Sequence, residues 1–140
     1  MDTYNIQRFL DAQEHSYNVS LSEISNGRKS SHWIWYIFPQ LRGLGSSYMS
    51  NYYGISSLDE ARAYLDNPIL RSRLIEISTA LLKYANVKTA EEILGPIDAR
   101  KVCSSMTLFD LVMPNGIFSQ VLDAFYDGHR DGLTLRLLNM

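Results

Sequence analysis

Apolar residues recur three and four positions apart along most of this chain, the spacing that lays side chains along one face of a helix. Ile6, Phe9 and Leu10 predict a first helix over about residues 4–12. Tyr17, Leu21 and Ile24 predict a second, with Ser16 as its N-cap and Gly27 just past its end. Ser31 stands where an N-cap would open a short helix over His32 to about Phe38, stopped by Pro39. On that helix Trp33, Tyr36 and Ile37 share one face, with His32, Trp35 and Pro39 near another. A strand competes here, since Trp, Ile and Tyr favour β structure, but no partner strand is evident nearby.

Ser47 to Tyr53 reads as a short aromatic helix. Ser57-Leu58-Asp59-Glu60 is a capping-box pattern that opens a helix to about Leu65. Asn67-Pro68 supplies an N-cap and a proline at the first helical position, which starts the longest helix, about 68–85. Thr89-Ala90-Glu91-Glu92 is a second capping box, ended at Gly95-Pro96. Asp98 is placed as the cap of a helix reaching about Met113. Phe118, Val121, Leu122 and Phe125 mark the next, and Asp131 opens a last turn or two. Short connections and no alternating strand pair predict an all-α fold, a compact multihelical single domain of about seven to nine short helices over residues 1–140.

Composition narrows the partners more than the fold. An apolar fraction of 46% with 20% charged residues is that of a folded domain. The net charge of −2, with basic residues scattered, gives no footprint for nucleic acid, so none is expected as a partner. Cys103 is the only cysteine, which excludes an internal disulfide and a thiolate zinc site. His15, His32 and His129 have no spacing that puts two ligands on one helical face, so neither metal nor cofactor is expected. The opening Met1-Asp2-Thr3-Tyr4-Asn5 lacks the basic and apolar regions of a signal peptide. No apolar run approaches the roughly 18 residues of a membrane span. A cytoplasmic location without membrane contact is the expectation.

The candidate chemistry concentrates in one place. Both tryptophans, one of the three histidines and three of the eight glycines fall between Gly27 and Ser47. A core helix needs apolar spacing, not a basic pair, a histidine and two indoles in succession. Histidine is the side chain whose unperturbed pKa lies near neutrality, which makes His32 the candidate for acid–base work; the alternative is an imidazole satisfying a backbone carbonyl. Lys29, beside Arg28, precedes a helix start and could hold an anion there, or simply cap the preceding helix dipole. Trp33 and Trp35 offer a stacking wall for a planar ring, Trp35 lying off the Trp33/Tyr36/Ile37 stripe; core packing competes for both. Gln40, released by Pro39 into a loop, can read a ligand edge with its amide.

Gly43 and Gly45 allow close backbone approach, and Ser47 adds a hydroxyl at the next helix start. The loop is neither a Walker loop nor a dinucleotide fingerprint, and a tight inter-helix connection is its plainer reading. Asp98 and Lys101 are three apart and can pair on one helix face. Ser105, one turn beyond Lys101, would complete a Ser–Lys nucleophile pair, with Thr107 in the same helix. Together these residues predict an open, electropositive hollow walled by indole between the second and fourth helices.

Several segments also carry a family resemblance. They are Lys29-Ser30-Ser31-His32-Trp33-Ile34-Trp35-Tyr36-Ile37-Phe38-Pro39-Gln40, Gly43-Leu44-Gly45-Ser46-Ser47, Tyr53-Gly54-Ile55, Glu60-Ala61-Arg62-Ala63-Tyr64-Leu65, Asn67-Pro68-Ile69-Leu70 and Ser105-Met106-Thr107-Leu108-Phe109. The chain resembles the bacterial domain-of-unknown-function family eighteen-ten, whose members often carry the label calpastatin. Ile34 stands where methionine is common and Asn67 where histidine is common. The resemblance implies a small, mostly helical domain with no assigned biochemical role. The calpastatin label implies disordered calpain-binding repeats, which a folded composition does not fit.

Two functions remain open on the residues. One is an enzyme or ligand-processing domain, a hydrolase if an enzyme, acting on a small anionic ring-bearing metabolite. Its catalytic set would be His32, Asp98 and Lys101. Over a small part of the chain, Asn67-Pro68-Ile69-Leu70 with Leu74 is similar to NADAR-type N-glycosidases, which implies nucleotides, ADP-ribose or N-glycosides as substrates to try. The other is a non-catalytic module that holds a small ligand or a peptide in the same groove.

Overall fold

Helix starts in this protein, described over residues 1–140 by a computed structural model, follow the capping chemistry of the sequence. Asn67 Oδ1 accepts from the amides of Ile69 and Leu70 and opens α6 (Pro68–Leu82), with Pro68 in its first turn. Thr89 and Glu92 form the full capping box of α7 (Ala90–Leu94). Ser47 opens α4 (Tyr48–Tyr52), Ser57 opens α5 (Leu58–Asp66) and Asp131 opens α10 (Gly132–Leu137), each side chain accepting a backbone N–H. The remaining elements are α1 (Gln7–Glu14), α2 (Tyr17–Ser25), α3 (Ile34–Ile37), α8 (Pro96–Val112) and α9 (Ile117–Tyr126). Ten helices form in place of the seven to nine expected, three of them single turns: α3 has four residues, and α4 and α7 have five.

Two starts differ from expectation, each for a physical reason. Asp98 does not cap α8. Gly95, at φ 83°, is the residue before the helix and Pro96 occupies its first position. A proline there forfeits a donor that no helix bond would use, so Asp98 lies inside the first turn with its carboxylate free for another partner. Ser31 does not cap α3 either. Its hydroxyl and amide, the Ser30 amide and the Trp33 indole N–H all donate to the Glu23 carboxylate on α2. The chain from 30 to 33 is thus a loop anchored on Glu23, and the helix shrinks to the single turn after it.

The packing gathers 29 buried apolar residues into one core. Helix α8 is at its centre, against α5, α7, α9 and α10, while α6 packs on α2, α5 and α9. The buried face of α6 carries Leu70, Leu74, Ile77 and Leu81. Arg8, itself buried, pairs with buried Glu60 at 2.6 Å and donates to the carbonyls of Tyr4, Asn5, Tyr52 and Gly54. One guanidinium therefore satisfies the carbonyls of a chain crossing that has no sheet to do it. The sole β feature is an isolated parallel bridge between Leu41 and Ile55. There Ile55 N–H donates to Gln40 O at 2.9 Å and Arg42 N–H to Ile55 O at 2.8 Å, which fixes the backbone beside Gln40. No helix is long and apolar enough to cross a membrane.

Candidate ligand-binding site

The residues singled out by the sequence separate into three places. The first is sealed. Lys29 Nζ lies 2.8 Å from Asp98 Oδ2, with its side chain 7% exposed. The same ammonium donates to the Ser31 carbonyl and sits 4.9 Å from the Trp33 ring centroid. Trp33 is itself buried in the core, and its indole N–H is bound to Glu23 at 3.0 Å. The Lys29 backbone donates to Ile93 O, tying the loop to α7. Lys29 thus neutralises Asp98, and Trp33, though it borders the neighbouring hollow of His32, is only 2% exposed.

The second place belongs to His32. Its exposed side chain lines a shallow hollow of about 190 Å³ with His15, Ser16, Val19, Ser31, Trp33 and Tyr36. Tyr36 Oη and Ser16 Oγ are 3.1 Å apart on its wall. Neither Asp98 nor Lys101 lines this hollow, so the structure does not bring the three proposed catalytic residues together.

The third place is a hollow of about 230 Å³ where the 40–45 loop, the start of α8 and the start of α10 meet. Gln40, Leu44 and Gly45 come from the loop, Ile97, Arg100, Lys101 and Ser104 from α8, and Asp131 and Leu133 from the α10 end. Positions 100 and 104 are one turn apart, so they share a face beside Lys101. Arg100 has no carboxylate within ion-pair distance, and Lys101 Nζ is 3.9 Å from Asp98 Oδ1, too far for a hydrogen bond. Lys101 also lies 5.3 Å from the Trp35 ring centroid, so a half-buried indole supports its stem and charge. Gln40 is 9% exposed, and its side-chain amide makes no hydrogen bond within the protein although it lines the hollow. Gly45 is needed there because a Cβ would stand 2.5 Å from Ser50 Oγ.

The other proposed residues hold this place in shape. Thr107 Oγ1 donates to Cys103 O at 2.8 Å and accepts from the Asp131 amide at 2.9 Å, pinning the start of α10 to α8. Asp131 Oδ2 then accepts from the Thr134 amide and hydroxyl. Ser47 caps α4, and exposed Gly43 takes φ 103° next to Leu137. Ser105 is fully buried with its hydroxyl unpartnered. It makes no bond to Lys101, so no Ser–Lys nucleophile pair is assembled. Trp35 Nε1 is likewise buried without a partner. Burial, with the Asp131 charge, pushes the Cys103 thiol up to about 11, which keeps it protonated and poorly nucleophilic at neutral pH. No group of three or more His, Cys, Asp or Glu side chains is positioned to hold a metal ion.

Sequence reasoning missed Leu44, Ile97, Arg100, Ser104, Asp131 and Leu133 as lining residues. For Arg100 and Ser104 a signal existed, since both neighbour residues already proposed on α8. Asp131 and Leu133 carried none, because only the tertiary return of α10 brings them to the 40–45 loop.

Fold and site together define a small all-α domain with one polar hollow at the head of its central helix. The chain belongs to the family described as protein of unknown function (DUF1810), whose model matches residues 3–138. It is similar to the crystal structure of the conserved hypothetical protein Rv1873 from Mycobacterium tuberculosis, with 44% identity, 99% of each chain covered and a TM-score of 0.95. No curated protein matches the chain.

Proposed function

We propose that the protein binds a small anionic metabolite in the hollow between Gln40, Arg100 and Lys101. The observation that carries this reading is the Gln40 amide. That amide has no partner within the protein and its polar atoms reach the hollow, so its donors and acceptor are free for a ligand beside two cations without hydrogen-bonded carboxylates. The hollow is smaller than the several hundred Å³ typical of drug-sized ligands, which favours a small acid over a whole nucleotide. Because no nucleophile and base are paired at its wall, holding a ligand is favoured over processing it, and hydrolase chemistry at His32, Asp98 and Lys101 loses its support.

The test is a thermal-shift panel of small carboxylates, inorganic phosphate, phosphosugars and nucleotides. A ligand that binds only the folded state must raise the melting temperature. At least one small anion is expected to do so in the wild type and to lose the effect in Gln40→Leu and Arg100→Ala. If no anion shifts the melting temperature, or if the shifts survive both substitutions, the reading fails.

A further inference from the structure

We infer that the ligand class for this hollow is an amphiphilic monoanion, a small free carboxylic acid bearing an apolar substituent. The inference rests on the reading of the hollow as an anion site and goes on to its specificity. Charge sets the first limit. Two cations, Arg100 and Lys101, face one carboxylate, Asp131, while Asp98 behind them is neutralised by Lys29 at 2.8 Å. One net positive charge complements a monoanion, and a phosphate dianion would leave surplus negative charge against Asp131 in a partly desolvated site.

Shape and donor geometry set the second. Arg100 presents a planar fork of donors that matches the two oxygens of a carboxylate, and Gln40 adds an amide to the lining of the same hollow. The rim beside these polar groups is apolar. Ile97 is 63% exposed and Leu133 55%, with Leu44 partly buried between loop and core. Single exposed hydrophobes are ordinary on a protein surface, but these sit on the walls of the hollow that holds the cations. A ligand with its acid group on Arg100 and Gln40 would lay its alkyl part against them.

The experiment is titration calorimetry with acetate, butyrate, hexanoate, hexanol and hexyl phosphate at pH 7. In parallel, the Gln40 side-chain NH₂ resonances are followed by NMR. Affinity is expected to rise about fourfold per methylene from acetate to hexanoate, the increment for burying a CH₂. Hexanoate should shift the Gln40 NH₂ resonances, and hexanol should not bind. Ile97→Ser and Leu133→Ser, both at exposed positions, should keep the melting temperature and flatten the chain-length dependence. Tighter binding of hexyl phosphate than of hexanoate overturns the carboxylate class while the anion site stands. So does tighter binding of a pentapeptide ending in leucine, in favour of a peptide module. If no anion in the series moves the Gln40 resonances, the anion site falls with it.

Discussion

Lys29 and Lys101 meet the same two kinds of partner, the Asp98 carboxylate and the face of an indole, and come to opposite ends. Lys29 is 2.8 Å from Asp98, over Trp33, and 7% exposed. Lys101 is 3.9 Å from the other oxygen of the same carboxylate, over Trp35, and 23% exposed. The inner lysine gives its donors to Asp98 and Ser31 O and is consumed by the structure. The outer one keeps donors for whatever enters the hollow. Identity of neighbours therefore does not separate a structural cation from an available one; distance and burial do.

The comparison breaks first at Lys29. Lys29→Ala leaves the Asp98 carboxylate, 18% exposed, with only Lys101 at 3.9 Å and leaves the Ser31 carbonyl unpaired. Removing one partner of a buried pair is expected to cost about 3 kcal/mol, read as a lowered urea midpoint at pH 7 with unchanged slope. A loss below about 1 kcal/mol would make the pair equivalent to a surface bridge and erase the distinction between the lysines.

Glu23 sharpens the inner side, because it holds the loop that carries Lys29. Burial alone would push its carboxyl up, but bonds from the Ser31 hydroxyl, the Ser30 and Ser31 amides and the Trp33 indole hold it down to about 2. A carboxyl lowered on folding from its ordinary 4.5 stabilises the fold fully above that value and loses the contribution as pH falls towards 2. Melting temperature against pH should therefore drop across this window in the wild type. Glu23→Gln should flatten that drop and cost about 1 kcal/mol at neutral pH. Identical acid limbs in the two proteins would mean that Glu23 does not anchor the loop.

What the sequence disclosed follows the range of the interactions. The caps at Ser47, Ser57, Asn67, Thr89 and Asp131 bond amides two or three residues away, so local pattern suffices to find them. Ser31 and Asp98 misled for one reason. Each has the chemistry of a cap, but Ser31 gives its hydroxyl to Glu23 on the preceding helix, and Asp98 gives its carboxylate to Lys29, far earlier in the chain. Gln40, Gly45 and Lys101 were legible as polar or conformationally free residues in suggestive settings. That they share a wall, while His32 faces another hollow, depends on how α8 and α10 close on the 40–45 loop, and helical periodicity carries no record of that.

The smallest expected change in stability is at Lys101, and it bears most directly on the outer half of the comparison. Its ammonium is beyond hydrogen-bond reach of Asp98, and Asp98 retains Lys29 when Lys101 is removed. Lys101→Ala should therefore cost less than about 1 kcal/mol, the scale of an exposed or loosely held pair, with part of that from lost packing of the stem on Trp35. Lys101→Met, which keeps the stem and removes the charge, should be closer still to the wild type by urea denaturation. Any anion-induced rise in melting temperature should shrink in both variants, because the charge is what a ligand would meet. If Lys101→Met instead falls as far as Lys29→Ala, the outer ammonium is a structural group like the inner one, and Arg100 is left as the hollow's only available cation.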